Sequence, residues 1–200
     1  MISINTISFA RPTKPIFTNF SATIEPNCAT LLCGSNGAGK TTLINLIGGL
    51  LKPSAGSITI NNHKLAQLST KKQSQLRSIA PQHRSFDLAF SVEEVLSIMP
   101  APQRSSHEAD VREALELNEL ANLKVTELSI GQQQRINVAL ALIQEAPFYL
   151  LDEPFSAQDT SRQSAMLDLL LQISKEHGVV VVAHNAESFQ ERFSSTIRVS

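Results

Sequence analysis

Nine consecutive residues, Gly34, Ser35, Asn36, Gly37, Ala38, Gly39, Lys40, Thr41 and Thr42, bring glycines, a lysine and two threonines together. The spacing Gly34-x-x-x-x-Gly39-Lys40-Thr41 is that of a loop that wraps a phosphate. Successive backbone N–H groups turn inward around the anion, and glycine supplies backbone angles that other residues resist. Lys40 then reaches the terminal phosphates, and the Thr41 hydroxyl holds Mg²⁺. A second candidate is the pair Asp152 and Glu153, which closes the apolar run Phe148, Tyr149, Leu150 and Leu151. One carboxylate of such a pair binds Mg²⁺ through water while the next polarises an attacking water.

Both sets of residues need particular elements around them. A phosphate loop requires an apolar strand before it and a helix after it. Ala29 to Cys33 reads as that strand, and Thr42 to Ile47 begins a helix with apolar residues at helical spacing. The helix N-terminus points its N–H groups at the phosphates. The strand ending in Asp152 delivers carboxylates to the sheet end where the loop opens, because ligands of parallel sheets bind at the carboxyl ends of strands. Residues 1 to 33 carry alternating and β-branched stretches and read as antiparallel strands and turns. Ile58 to Ile60 and Ile79-Ala80 are short strands, with residues 70 to 77 helical between them. Apolar residues recur at helical spacing over 91 to 99 and 106 to 123, with a break at Pro100, Ala101 and Pro102. A long helix is expected over 129 to 143 and another over 161 to 177, stopped by Gly178. Val179 to Ala183 reads as the last buried strand. Strands alternating with helices around a phosphate loop predict a mainly parallel α/β sheet with the helical stretch as an inserted subdomain.

Composition narrows the classes. The chain has 200 residues, 42% hydrophobic and 18% charged, which suits one packed domain rather than a disordered chain. A net charge of −1 gives no electrostatic reason to expect nucleic acid as a partner. Cys28 and Cys33 are too few for a disulfide framework and read as small apolar residues near the first core strand. The N-terminus does not read as a secretory signal, and no apolar run approaches a membrane span. The expectation is a cytoplasmic chain that serves any membrane process from its surface. His63, His83, His107 and His177 show no metal-ligand spacing and read as surface residues.

Leu128, Ser129, Ile130, Gly131, Gln132, Gln133, Gln134 and Arg135 closely resemble the signature motif of ATP-binding cassette (ABC) ATPases. The other motifs of that family occur in their expected order: the Walker A loop at 34 to 42, Gln82 of the Q-loop, Walker B at 148 to 153, Ser156 to Asp159 as the D-loop and His184 as the switch histidine. The resemblance covers nearly the whole chain. It implies a P-loop NTPase (RecA-like) core over 1 to 82 and 136 to 200, with an N-terminal antiparallel β subdomain and a helical subdomain over about 83 to 135. It implies ATP and Mg²⁺ as cofactors. Lys40 and the loop bind the β- and γ-phosphates, and Thr41, Gln82 and Asp152 surround Mg²⁺. Glu153 serves as general base, and His184 contacts the γ-phosphate. Phe9 is either the aromatic that stacks on adenine or a core phenylalanine. Ser129, Gly131 and Gln132 close over ATP held by a second cassette, either another copy of this chain or a different cassette. The helical subdomain receives an integral membrane permease subunit, with a solute-binding protein as a further partner of that permease.

Three positions depart from the family pattern. Ile130 stands where glycine is usual, and a β-branched side chain there is expected to weaken closure or slow turnover. Gln158 replaces a leucine, and Leu140 an arginine. The stretch from Ala80 to Val92 looks most like cassettes that import metal ions or iron chelates, and 61 to 82 resembles the iron-chelate group. Chain end at Ser200 leaves no room for a C-terminal regulatory domain on this reading. A small exporter cassette, such as one for haem, a non-transport ABC ATPase and a degenerate cassette remain the alternatives.

Overall fold

Three apolar runs of the sequence are continuous because both of their faces are covered. The computed structural model describes residues 1–12, 14–98, 103–183 and 189–200. In it the runs are β3 (Ala29–Cys33), β7 (Phe148–Asp152) and β8 (Gly178–Val182). Their side chains alternate between two cores. Leu31, Tyr149, Leu151, Val179 and Val181 face one, and Leu32, Phe148, Leu150, Val180 and Val182 face the other. With β6 (Arg77–Ala80) and β9 (Ser195–Arg198) they form a five-stranded parallel sheet in the order β6-β7-β8-β3-β9. The sequence did not disclose β9: Ser195, Thr196, Ile197 and Arg198 hold one large apolar residue, and the strand exists because its backbone pairs with β3.

The second core lies between this sheet, α1 (Lys40–Ile47) and a four-stranded antiparallel sheet. That sheet is built from β1 (Ile2–Arg11), β2 (Lys14–Ile24), β4 (Ala55–Ile60) and β5 (His63–Lys64), in the order β2-β1-β4-β5. Ile2, Ile4, Ile7, Ile24, Ile58 and Ile60 are its buried face. The pairing of β1 with β2 slips between Ile4 and Ile7, and again on either side of Phe9. Such bulges bend the strand and interrupt its two-residue period.

The first core extends into four helices, α3 (Val92–Leu96), α4 (Glu108–Ala114), α5 (Ile130–Ile143) and α6 (Thr160–Ile173), whereas α2 (Thr70–Ser74) buries no residue. Val92, Leu96, Val111, Leu115, Leu117 and Leu120 share one apolar cluster with Tyr149 and Leu151 of the sheet. The helical stretch expected over 83 to 135 therefore rests on the same core as the parallel sheet. Arg112 ties α4 to α3, donating to both carboxylate oxygens of Glu93 at 2.8 and 3.1 Å and to Glu108 at 2.9 Å.

Helix limits differ from the pattern in four places. The helix expected over 70 to 77 ends at Ser74, and Arg77 is already the first residue of β6. The helix expected over 106 to 123 ends early, because Glu116 takes a left-handed φ of 51° that turns Leu117 and Leu120 into the core. The helix expected over 91 to 99 is described as Val92–Leu96, and Met99 and the break at 100 to 102 lie outside the described residues. The helix expected over 161 to 177 ends at Ile173, so Gly178 is the first residue of β8 rather than a helix stop.

Gly178 is required there by packing. A Cβ on it would lie 2.3 Å from Cδ1 of the Phe148 ring, itself wholly buried. Gly178→Ala is expected to destabilise the chain by about 1–3 kcal/mol, the usual cost of overpacking a filled core, as read from the urea midpoint. An unchanged midpoint would show that the Phe148 ring has room to move.

Candidate functional site

β3 runs straight into the glycine loop at the carboxyl end of the parallel sheet, and α1 begins at Lys40. Gly39 caps that helix at φ 104°, a backbone angle that L residues rarely adopt, and a Cβ there would fall 2.5 Å from Ile16. Lys40 is buried, and its ammonium is folded into the loop, donating to the carbonyls of Gly34 at 2.8 Å and Ser35 at 3.1 Å. The loop is thereby held by the cation that an anion in it would meet.

The loop opens into a cleft of about 350 Å³. Asn36, Gly37, Gly39, Lys40, Thr41 and Thr42 line it from the loop and helix, Gln82 from the end of β6, and Glu153 from the end of β7. Asp152, the last residue of β7, is buried beside Glu153. Glu153 has a left-handed φ of 55°, a conformation of order 1–3 kcal/mol above the preferred one for a residue with a Cβ. Three hydrogen bonds hold its backbone: its N–H donates to the Val182 carbonyl at 2.9 Å, and its carbonyl accepts from the Gln134 side chain at 3.1 Å and from the Ser156 N–H at 3.2 Å. Gln134 lies on α5. One turn along, buried Asn137 donates to the Pro81 carbonyl at 2.6 Å and so fixes the residue before Gln82.

α5 begins with a reciprocal cap. Ser129 accepts from the Gln132 N–H at 3.3 Å, and Gln132 accepts from the Ser129 N–H at 2.8 Å. None of Ser129, Gly131 and Gln132 lines the loop cleft. They face a separate groove of about 170 Å³ with Ala157, Gln158, Asp159 and Arg162. A Cβ on Gly131 would lie 2.5 Å from the Ala157 carbonyl oxygen, and Gln158 donates to the Gly131 carbonyl at 2.7 Å. Gln158 is therefore a clasp between the segments at 129 to 132 and 156 to 159. Beside it the Glu116 carboxylate accepts from Arg135 at 2.7 Å and Arg162 at 3.0 Å. Its pKa is held below the usual carboxylate value, first by the hydrogen bond from Arg162 and further by the charges of Arg162 and Arg135. Ile130 is 79% exposed at the mouth of this region.

The donor set of the cleft fits a magnesium nucleotide. Backbone amides at a helix N-terminus and a buried ammonium suit phosphate, and the hydroxyl of Thr41, the amide of Gln82 and the carboxylate of Asp152 are the hard oxygen ligands Mg²⁺ takes. The cleft brings together Gln82, Glu153 and six of the loop residues, while Gly34, Ser35, Ala38 and the buried Asp152 are not on its lining. His184 lies outside the described residues. Phe9 pairs with Phe17 across the strands and packs against the second core, while Arg11 and Ile16 from the same two strands line the cleft. The sequence did not single out Arg11, Gln134 or Asn137. The slip between Phe9 and Ala10 breaks the alternation that would have placed Arg11, and only the fold shows which carbonyls Gln134 and Asn137 reach.

The histidines correct the surface reading in part. His63 and His83 are exposed, but His177 is buried and His107 nearly so, with ring centroids 5.3 Å apart. The packing of α4 against the end of α6 brings them together across 70 residues of sequence, which spacing could not reveal.

Residues 17–156 match the family described as ABC transporter. The chain is 35% identical over 195 residues to the hemin import ATP-binding protein HmuV of Bordetella avium, covering 90% of this chain and 75% of that protein. It is 32% identical over 196 residues to the "Probable siderophore transport system ATP-binding protein YusV" of Bacillus subtilis, covering 92% and 71%. Among solved structures, MJ0796, described as a dimeric bacterial ABC transporter cassette, is 26% identical with a TM-score of 0.83, covering 100% of this chain and 94% of that one. MJ0796 bound to ADP and phosphate is 27% identical with the same TM-score.

The hold of α5 on Glu153 is open to measurement. Gln134→Ala removes one of the two donors to the Glu153 carbonyl and leaves the Ser156 N–H in place, a loss of about 0.5–1.5 kcal/mol, the net worth of a single hydrogen bond. The expected outcome is a lowered kcat for ATP hydrolysis with little change in nucleotide Kd, measured by steady-state turnover and equilibrium binding. An unchanged kcat would remove Gln134 from the positioning of the carboxylate.

Proposed function

This chain belongs to the ABC transporter family as an ATP-binding, ATP-hydrolysing subunit, and from that premise we propose that two copies close over ATP to drive import of a metal chelate through a separate membrane subunit. The observation that carries the dimer is the split of the ligand machinery. The loop cleft and the groove at Ser129, Gly131 and Gln132 are separate in one chain, so a nucleotide in the cleft meets the second set only from another cassette. The dimeric MJ0796 structures support this reading. The cargo class rests on likeness to the hemin import and siderophore transport proteins.

In the proposed reaction the loop amides and Lys40 bind the β- and γ-phosphates, and Glu153 takes a proton from the attacking water as it approaches the γ-phosphorus. Thr41, Gln82 and Asp152 would hold Mg²⁺, which neutralises charge on the phosphate oxygens when bound. His184 is proposed to contact the γ-phosphate. Arg11 and Ile16, rather than Phe9, border the cleft where a nucleobase would leave it. No helix among the described residues is long and apolar enough to cross a membrane. In this proposal the transport path belongs to the permease and the chain sits at its cytoplasmic face, in line with the likeness to import ATP-binding proteins.

A groove of about 650 Å³ suits that permease. Leu88, Phe90 and Ile98 are exposed on it, with Asp87 and Arg84 at its polar edge. It lies between β6, which leads to Gln82, and α3 and α5, so an apolar helix seated there would move with the residues that sense the phosphate.

Two experiments test the proposal. Glu153→Gln is expected to retain ATP binding, lose most hydrolysis and accumulate as an ATP-dependent dimer in gel filtration; undiminished turnover would refute the role of Glu153. In that background Ile130→Gly is expected to tighten the dimer by removing an exposed branched side chain from its mouth, and an unchanged dimer constant would leave Ile130 without effect. Separately, tagged chain recovered from detergent-solubilised membranes of its source is expected to carry a multi-helix membrane protein, and Leu88→Asp to lose it. Recovery of soluble partners alone would overturn the transport assignment.

A further inference from the structure

We propose that His107, Glu176 and His177 form a binding site for a divalent transition-metal ion of the Zn²⁺ class, at the seam between the helical stretch and the parallel sheet. No residue of this cluster belongs to the nucleotide cleft or to the groove at Ser129. One ligand atom from each side chain lies within 4.8 Å of the others. Two imidazoles and a carboxylate are the nitrogen and oxygen donors that Zn²⁺ and its neighbours in the first transition row accept, with one position left for water.

Two further observations point to an ion rather than to a chance meeting of side chains. The first is the hydrogen bonding of His177. Its Nδ1 lies 2.9 Å from the Ala146 carbonyl, an acceptor, so Nδ1 carries the proton and Nε2 presents a lone pair. That is the arrangement by which a backbone carbonyl orients a metal-ligating histidine. The second is His107, whose Nε2 is buried and has no hydrogen-bond partner among the described residues. Its nearest opposite charge is Glu176 at 3.8 Å, too long for a hydrogen bond. A buried ring nitrogen in that position is unfavourable until something bonds it.

The surroundings suit an ion as well. His177 packs against the wholly buried Tyr149 ring at 5.2 Å, so on that side of the site a metal–ligand bond competes with little water. The Glu176 side chain is 70% exposed and free to swing over the two rings, giving the ion a path from solvent. Tetrahedral Zn²⁺ places its ligand atoms about 3.4 Å apart, so occupancy draws the three groups slightly together. His107 caps α4, and Glu176 and His177 follow α6. A metal there would fasten the start of one helix to the end of the other and join the helical stretch to the sheet.

The test uses the full chain, nucleotide-free and without an affinity tag. Isothermal titration with Zn²⁺ is expected to show one ion per chain, and Co²⁺ to give the intense visible bands of a tetrahedral site. His107→Gln is expected to lose more than the about 10- to 100-fold in affinity that a lost supporting contact costs, while His63→Ala binds as the parent does. Where His107→Gln fails to fold, Glu176→Ala, altered at an exposed side chain, serves instead and is expected to weaken binding at least about tenfold. Absence of a stoichiometric site in the parent chain, or unchanged affinity in the variant that decides the test, overturns the proposal and leaves the pair as edge-to-face packing.

Discussion

Much of this molecule depends on how α5 disposes of three buried polar side chains. Gln134, Arg135 and Asn137 are all buried, and each donates to a backbone carbonyl of a different segment: Glu153, Leu115 and Pro81. Buried donors of this kind are tolerable only when partnered, so the helix has one acceptable seating. That seating fixes the residue after β7, the residue before Gln82 and the turn after α4 at once. Any rotation of α5 about its axis would break all three bonds. The Glu153 carboxylate and Gln82 thus take their places in the cleft from a helix whose own N-terminus faces a different surface.

The same helix explains how events at two surfaces of the chain are joined. Its cap carries Ser129 and Gly131 to the groove that also holds Gln158 and Asp159, and Gln134, three residues beyond Gly131, bonds Glu153 at the nucleotide cleft. The Gln158 clasp and the Glu116 carboxylate, shared by Arg135 and Arg162, bind the start of α6 to α5. Arg162 is substantially exposed, so its part of this network is weak in isolation and weakens further with salt. The buried arm through Arg135 is the more durable. A leucine at position 158 would have no amide to donate to Gly131, so the departure from the family pattern at that position creates a contact rather than merely losing one.

The sequence disclosed most of what its own spacing could encode. The phosphate loop, the carboxylate pair, the β3, β7 and β8 strands and the long α5 helix are local patterns: glycines at fixed offsets, unbroken apolar runs and the family-like stretch from Leu128 to Arg135 that opens the helix. What it concealed depends on chain segments that are distant in sequence. β9 has too little apolar content to declare itself and exists through β3. The early end of α4 turns on a left-handed Glu116, a residue with no special liking for that angle, held there by Arg135 and Arg162. Arg11 escaped because bulges in β1 destroy the alternation that would have assigned its face, and the nearness of His107 to His177 exists only once α4 has docked.

The distribution of exposed apolar side chains carries the argument about partners one step further. Isolated apolar residues on a surface need no explanation, but grouped ones do. Leu88, Phe90 and Ile98 gather on one groove, whereas Ile130 stands apart beside the Ser129 cap. A single partner covering both places would have to span the helical stretch from α3 to the N-terminus of α5. Two partners meet the geometry more simply: an apolar helix in the groove, and a nucleotide-bearing cassette against the cap. The α5 helix runs between them, bordering the groove through Leu140 and Ile143 and the second surface through Ser129 and Gly131. Force exchanged between a membrane subunit and a closing dimer would therefore pass along one rigid helix, the same helix that seats Glu153.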